Sequence, residues 1–207
     1  MQTDEQYTRR AFAFDVGMRN KAMAAGWRDD AGVIHLDILE HIDLFTVEPF
    51  LAIHALTIRA QTWIRYRMDL ARRVGIEWQA DQGQMGRMTG MAYALAAVLM
   101  LVCNVPAERI VWVMPNLKYT DKPRTITTDA GKRSWMICEV YPNVPPHWQA
   151  YMDNLPEGKN DVCAAILLLR AVLTRSTLER PPSVPTTPSS FGHRRTTSGS
   201  PRAARRK

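Results

Sequence analysis

The chain has 207 residues, of which 46% are hydrophobic, enough for one domain of ordinary size with a sizeable core. It has no apolar run of about 18 residues, and its polar start lacks a signal-peptide pattern. We therefore expect a soluble intracellular protein with no membrane partner. The cysteines Cys103, Cys138 and Cys163 lack metal-ligand spacing and lie among apolar residues, which predicts reduced, buried thiols.

The formal net charge of +7 is concentrated at the end of the chain. Residues 180–207 contain seven basic side chains and no acid, so the rest of the chain has equal numbers of acidic and basic side chains. After residue 179 the composition turns to Pro, Ser, Thr, Gly and Arg, which cannot form a core. We predict a folded domain over residues 1–178 and a disordered basic tail over 179–207. A domain without net charge binds a polyanion only through a local basic patch or metal ions.

The first predicted element is a strand over residues 12–16, where large apolar side chains alternate with Ala and Asp. It delivers Asp15 to Gly17, where the backbone can come close to whatever the carboxylate holds. Alone, the stretch fits an active-site strand and an ordinary buried strand equally well. Two more strands, over 21–28 and 33–40, flank a turn with the sequence DDAG, which predicts a three-stranded antiparallel meander.

Two helices and a short strand follow. Apolar residues recur at helical spacing from 48 to 73, which predicts one long amphipathic helix. Residues 74–78 predict a strand that ends in an acid, followed by a glycine-bearing loop. Residues 84–103 predict a helix rich in Met and Ala, which is either a central core helix or a dimer interface with Ala92 and Ala96 on the close-approach side.

The last part of the domain is a strand followed by helices. Residues 109–113 predict a buried strand that leads into a basic loop. Residues 132–139 and 147–154 predict short helices separated by prolines, and residues 160–176 predict a longer helix with one apolar face. The order of elements predicts an α/β fold of the ribonuclease H-like kind, in which a mixed sheet of three antiparallel strands and then parallel strands is flanked by helices.

Three acids lie where such a fold would bring them together. They are Asp15 on the first strand, Glu77 at the end of the fourth, and Asp161 at the start of the last long helix. A cluster of carboxylates is costly unless divalent cations neutralise it, and oxygen ligands suit Mg²⁺ or Mn²⁺. Two such ions can hold the attacking water and the leaving oxygen of a phosphodiester. Any one of these acids alone would be read as a cap or a solvated residue.

Four short motifs resemble those of a known family. They are FDVGMRN at 14–20, IEWQ at 76–79, VMP at 113–115 with Lys118, and KNDVCAA at 159–165. In this order they are similar to the successive motifs of the RuvC-like Holliday junction resolvases, above all the poxvirus and fungal mitochondrial branch. The resemblance covers about residues 11–175. It implies a homodimeric nuclease that nicks paired strands at a four-way DNA junction, with two Mg²⁺ or Mn²⁺ ions per site and Lys118 beside the scissile phosphate.

The chain departs from the family at one position. The last motif of the family carries two acids three positions apart, and the second falls on Ala164, which cannot bind a metal. Three interpretations remain open: an introduced active-site substitution, a natural homologue that binds junctions without cutting them, or replacement of the missing ligand by Asp81 from the neighbouring loop.

Basic and amide side chains near the predicted site are candidates for DNA contacts. They are Arg19, Asn20, Arg87, Lys122, Arg124, Lys132 and Arg133. The histidines His35, His41 and His54 have no metal-ligand spacing, and we expect no small-molecule cofactor. A different class of protein, the actin-like phosphate-binding folds, also begins with Asp-x-Gly on a first strand, but those chains carry a second such hairpin and this one has none.

Overall fold

The structure is a computed structural model that describes residues 8–17, 20–44, 48–78, 85–155 and 157–174, with only the backbone of residues 85–87. Three predicted site residues lie outside this description: Arg19, Asp81 and the side chain of Arg87. The predicted boundary between the domain and the tail at residue 179 also lies outside it.

Five strands form one mixed sheet in the order β3-β2-β1-β4-β5. The strands are β1 (Ala11–Val16), β2 (Asn20–Arg28), β3 (Ile34–Asp43), β4 (Arg73–Glu77) and β5 (Ile110–Val113). The first three are antiparallel, whereas β4 is parallel to both β1 and β5. The predicted meander and mixed α/β sheet are therefore confirmed.

The two faces of the sheet differ in side-chain size because residues alternate along each strand. One face carries large side chains such as Phe12, Phe14 and Met23, and α1 (Pro49–Trp63) and α2 (Met85–Val102) cover it. Small side chains dominate the other face, where the buried alanines are Ala11, Ala13, Ala22 and Ala24. These alanines let α5 (Lys159–Thr174) lie close to the centre of the sheet.

Gly75 shows how closely α5 approaches. A Cβ atom at this position of β4 would collide with the Val172 side chain of α5 and lie 3.0 Å from Val113 Cγ2. The C-terminal part of α5 therefore packs directly on β4, and the helix runs from there across the sheet to its first turn, where the candidate site lies. Two shorter helices, α3 (Asp129–Val140) and α4 (Pro146–Asp153), complete this layer.

The prediction of one helix over residues 48–73 is wrong. The α-helix ends at Trp63, and two 3₁₀-helices follow, Ile64–Tyr66 and Met68–Leu70. Between them Arg67 has φ 53°, a left-handed conformation that ends a helix. The guanidinium of Arg109 holds this path, because it donates to the carbonyl oxygens of Asp69 at 2.7 Å and Ala71 at 3.2 Å.

The small residues of α2 do not lie on the outward-facing surface that the dimer-interface prediction for this helix expected. Ala92 and Ala96 are buried within the chain, in the core beneath α1, rather than on an outward-facing surface. The outward side of α2 instead carries exposed Tyr93, Met100 and Leu101. The small residues therefore serve close packing inside the domain.

Two further observations concern burial. Cys103 and Cys163 are buried free thiols as predicted, but Cys138 is exposed because it lies on the outer side of α3. Within the described part of the chain, no helix is both long and apolar enough to cross a membrane.

Candidate active site

Asp15 and Glu77 lie side by side at the carboxyl ends of two parallel strands. Phe14 pairs with Ile76, so the next residues on β1 and β4 are the two acids. Both side chains point to the face that α5 covers, because their neighbours Phe14 and Ile76 point to the opposite core. Strand geometry alone therefore brings two carboxylates together beneath one helix.

Lys118 joins these two carboxylates. It lies on the 3₁₀-helix Pro115–Tyr119, which begins two residues after β5 ends. Its Nζ atom is 3.0 Å from Asp15 Oδ1 and 2.7 Å from Glu77 Oε1. Since β5 is parallel to β4, the chain leaving β5 emerges at the same sheet edge as the two acids, which explains why a lysine there reaches both.

Burial and mutual repulsion determine the electrostatics of this group. Burial, followed by the charge of Asp15, raises the pKa of Glu77 to about 8, although Lys118 opposes the shift. Burial works against the charge of Lys118, yet Asp15 and Glu77 outweigh it, so the pKa of the ammonium is raised. At neutral pH Lys118 is therefore charged, and Glu77 readily holds a proton.

Asp161 approaches from the first turn of α5. Burial and the charge of Asp15 raise the pKa of its carboxyl group, while His41 acts in the opposite direction. His41 Nε2 lies 3.5 Å from Asp161 Oδ2. Asp161 thus lies at the same end of the sheet as Asp15 and Glu77, close enough to Asp15 for their charges to interact, and the imidazole of His41 lies beside it.

Ala164 lies one turn further along α5 and is 2% exposed. It lines the same open cleft as Asp161, whose volume is about 420 Å³. The cleft combines acidic with basic side chains; its lining includes Asp15, Lys118, Lys132, Arg133, Asp161 and Ala164. The position where the resemblance expects an acid therefore faces the site but carries a methyl group.

The structure separates the predicted DNA-contacting residues into groups. Asn20, Lys132 and Arg133 line the cleft, and Lys132 also pairs with Asp129 at 2.9 Å. Arg124 is exposed on the loop outside it. Lys122 donates to the carbonyl oxygens of Pro123 and Ile126, so its ammonium holds its own loop together.

The donor chemistry of the site fits a hard divalent cation. Three carboxylates share it with one ammonium, and the side-chain oxygens of Asn20 and Asn160 are buried at the cleft without a hydrogen-bond partner. As the side chains stand, no three His, Cys, Asp or Glu residues of the described ranges are arranged to hold a metal ion. Lys118 provides the physical reason, because its ammonium lies between Asp15 and Glu77 as a cation would.

Three polar residues near the site have no counterpart in the predicted set. Asn160 lines the cleft, His41 adjoins Asp161, and Lys21 is fully buried at the strand end with Nζ 2.9 Å from the Gly17 carbonyl oxygen. Burial lowers the pKa of Lys21 to about 8. A signal existed for Lys21 alone, since a lysine in an apolar strand next to Asp15 and Gly17 is unusual.

Comparisons with solved structures identify proteins that share the fold of this chain. No protein-family model and no curated protein sequence matches the chain. Fowlpox virus resolvase, solved in complex with substrate Holliday junction DNA, has a TM-score of 0.55 and 16% sequence identity over 79% of this chain and 96% of that chain. The yeast mitochondrial Holliday junction resolvase has a TM-score of 0.54 and 13% identity over 80% of this chain and 79% of its own. The chain therefore shares the fold of these two Holliday junction resolvases, which agrees with the mixed α/β sheet expected from its sequence.

Proposed function

We propose that the chain is a structure-selective DNA nuclease that acts on four-way junctions. The observation that carries the proposal is the pair of acids Asp15 and Glu77 at adjacent strand ends beneath α5, with Asp161 in the first turn of that helix lining the same cleft as Asp15. Acids placed together at strand ends, one of them buried, repel one another, and such groups with raised pKa values are characteristic of functional sites. The fowlpox protein with the same fold was solved with Holliday junction DNA, which supports the substrate class.

Asp15, Glu77 and Asp161 would hold Mg²⁺ or Mn²⁺ in this site. A bound ion supplies positive charge that polarises the phosphodiester and makes water a better nucleophile. The family resemblance implies two ions, but Ala164 provides no oxygen for the second. We therefore propose that this site holds one ion well and the other poorly.

Lys118 is the side chain best placed to meet the scissile phosphate. It lines the cleft, and its neighbours Asp15 and Glu77 hold it in the charged form. Lys132 and Arg133 lie on the wall formed by α3, where they suit contacts with the backbone of a DNA strand. The basic side chains of α3 thus face the carboxylates across the cleft, an arrangement that suits a phosphodiester bound above the acids.

We further propose that the protein acts as a homodimer through α1 and α2. Among the described residues, seven of the eight large hydrophobic side chains that are exposed lie on these helices or just after α1: Phe50, Leu51, Ile58, Ile64, Tyr93, Met100 and Leu101; the eighth, Val33, lies at the β2–β3 turn. Such a patch marks an interface in a soluble protein. A two-fold dimer would present two clefts, which suits a substrate with two strands to cut.

A second candidate function is junction binding without cleavage. Ala164 favours it, because the residue is buried against the site and cannot contribute charge or a ligand. In this case the basic side chains of α3 and the dimer would still select branched DNA, while hydrolysis would be slow or absent.

The test compares a labelled four-way junction with a linear duplex of the same sequence, in Mg²⁺, in Mn²⁺ and in EDTA. We expect tighter binding of the junction, and metal-dependent nicking that Asp15→Asn abolishes without weakening binding by more than about threefold. Junction binding with no nicking in either metal supports the second candidate. Equal binding of junction and duplex would refute both.

A further inference from the structure

His41 lies in line with the candidate acids although it is distant from them in sequence. On β2, Ala22 pairs with Asp15 of β1 on one side and with His41 of β3 on the other. Side chains at directly paired positions point to the same face of a sheet. His41 therefore lies on the face covered by α5, two strands away from Asp15, with only the small Ala22 side chain between them.

Two contacts fix the imidazole in this place. The backbone N–H of His41 donates to the Tyr151 hydroxyl on α4 at 2.9 Å, which anchors the strand. The ring itself lies against Gly158, just before α5: a Cβ at 158 would be 2.6–2.8 Å from three ring atoms. Glycine at this position makes room for the ring next to the first turn of α5.

The Nε2 atom of His41 is buried and has no hydrogen-bond partner, although Asp161 Oδ2 is only 3.5 Å away. A buried polar nitrogen without a partner costs about 1–3 kcal/mol, so its retention calls for a reason. Asp161 supplies one. In the described part of the chain, His41 is the only basic side chain within 4 Å of its carboxylate, because Lys118 pairs with the other two acids.

We propose that His41 is a positioning residue that holds the Asp161 carboxylate toward Asp15 through an Nε2–H donor. The proposal rests on the proposed function, in which Asp161 is a metal ligand. A fixed donor beside a ligating carboxylate orients it and is worth about 10–100-fold in metal affinity. The role is especially valuable here, since Ala164 leaves Asp161 as the acid that α5 contributes to the site.

The experiment uses the full chain and the variants His41→Leu and His41→Gln. Leucine keeps much of the volume but removes the donor, whereas glutamine keeps an N–H at similar reach. His35→Leu is the matched control, because His35 is on the same strand and its Nε2 also contacts a carboxylate, Asp29 Oδ2 at 2.8 Å, but far from the site. Urea unfolding of each variant confirms that it is folded.

The first measurement is Mn²⁺ affinity in the absence of DNA, by titration calorimetry. We expect His41→Leu to weaken binding by about tenfold or more, and His41→Gln and His35→Leu to stay within about threefold. Unchanged affinity in folded His41→Leu would overturn the proposal, as would a His41→Gln variant that loses as much as His41→Leu.

The second measurement is imidazole ¹⁵N NMR on the metal-free protein. The proposal predicts a protonated Nε2 whose resonance shifts in Asp161→Asn, and a resonance unchanged in that variant would contradict it. If both measurements come out as expected but no junction is cut or preferred, the proposed function fails while the His41 role stands. A chain that binds no Mn²⁺ at all overturns both.

Discussion

Replacing Glu77 by glutamine should stabilise the metal-free protein at neutral pH while removing an acid proposed to be essential. The side chain of Glu77 is only 5% exposed, and its pKa is raised from 4.5 to about 8. Because the native pKa lies above that of the unfolded chain, the native state holds a proton that the unfolded state has released. The contribution of the Glu77 proton to the free energy of unfolding should therefore be fully present below about pH 4.5 and be lost progressively as the pH rises toward 8.

The magnitude follows from the two pKa values. Each pH unit in this window costs about 1.4 kcal/mol, so at pH 7 the native state has lost roughly 3 kcal/mol through this group. Glutamine has no such cost, and its amide keeps an acceptor for Lys118 and a donor for Asp15. Allowing for imperfect replacement, we expect Glu77→Gln to raise the free energy of unfolding at pH 7 by about 1–3 kcal/mol.

The assay is urea unfolding of both proteins in EDTA at pH 4, 5, 6, 7 and 8. The difference between variant and wild type should be near zero at pH 4 and grow with pH, since glutamine has no proton to lose as the pH rises. A second series in excess Mg²⁺ should stabilise the wild type more than the variant, because only the wild type keeps all three acids. A difference that does not change with pH, or a variant less stable than the wild type at pH 8, would refute the electrostatic account of the site.

Two further predictions use matched substitutions elsewhere in the fold. Gly158→Ala should displace the His41 ring and weaken Mn²⁺ binding by about tenfold. The control is Gly90→Ala on α2, where a Cβ meets open space: it should leave Mn²⁺ affinity unchanged and stabilise the chain by up to about 1 kcal/mol. Equal Mn²⁺ affinity in the two variants would count against the packing of His41 on Gly158. Leu101→Glu, at a position 82% exposed, should weaken self-association by at least about fivefold in sedimentation, whereas Val33→Glu at the β2–β3 turn should not; a wild type that is monomeric at micromolar concentration would contradict the proposed interface.

The positions of the candidate acids could be predicted from the sequence because each follows from a local rule. Asp15 and Glu77 lie at the ends of parallel strands of alternating or apolar character, and Asp161 lies in the first turn of a long apolar helix, so one fold class places all three at the same end of the sheet. The structure corrects one detail of that helix: it is buried on all sides from residue 162 to 169 and does not have a single apolar face. Lys118 was predicted from the family resemblance, which implies a lysine after the end of the strand over residues 109–113. The sequence pattern of each element and the order of the strands in the sheet place these side chains at the same end of the sheet, so the short motifs predict where the candidate site lies.

Other features depend on contacts that no local pattern encodes. The long helix was predicted to reach residue 73, but Arg109, about 40 positions away, holds the carbonyl groups that a continued helix would use. The third strand was predicted to stop at residue 40, yet it runs to Asp43 and so includes His41 in the sheet. A register shift beside Gly26 then decides which face His41 occupies, and only the paired strands reveal it.

The catalytic part of the account depends most directly on position 164. The decisive measurement is the nicking rate of a labelled four-way junction in Mg²⁺ for the chain as it stands, for Ala164→Asp, and for Ala164→Asp combined with Asp15→Asn. Residues 161 and 164 lie about one helical turn apart and line the same cleft, so the new carboxylate should face the other acids and restore the missing ligand. We predict at least about a hundredfold faster nicking by Ala164→Asp, lost again in the double variant. A folded, junction-bound Ala164→Asp that remains inert would contradict the enzymatic account and leave a junction-binding protein.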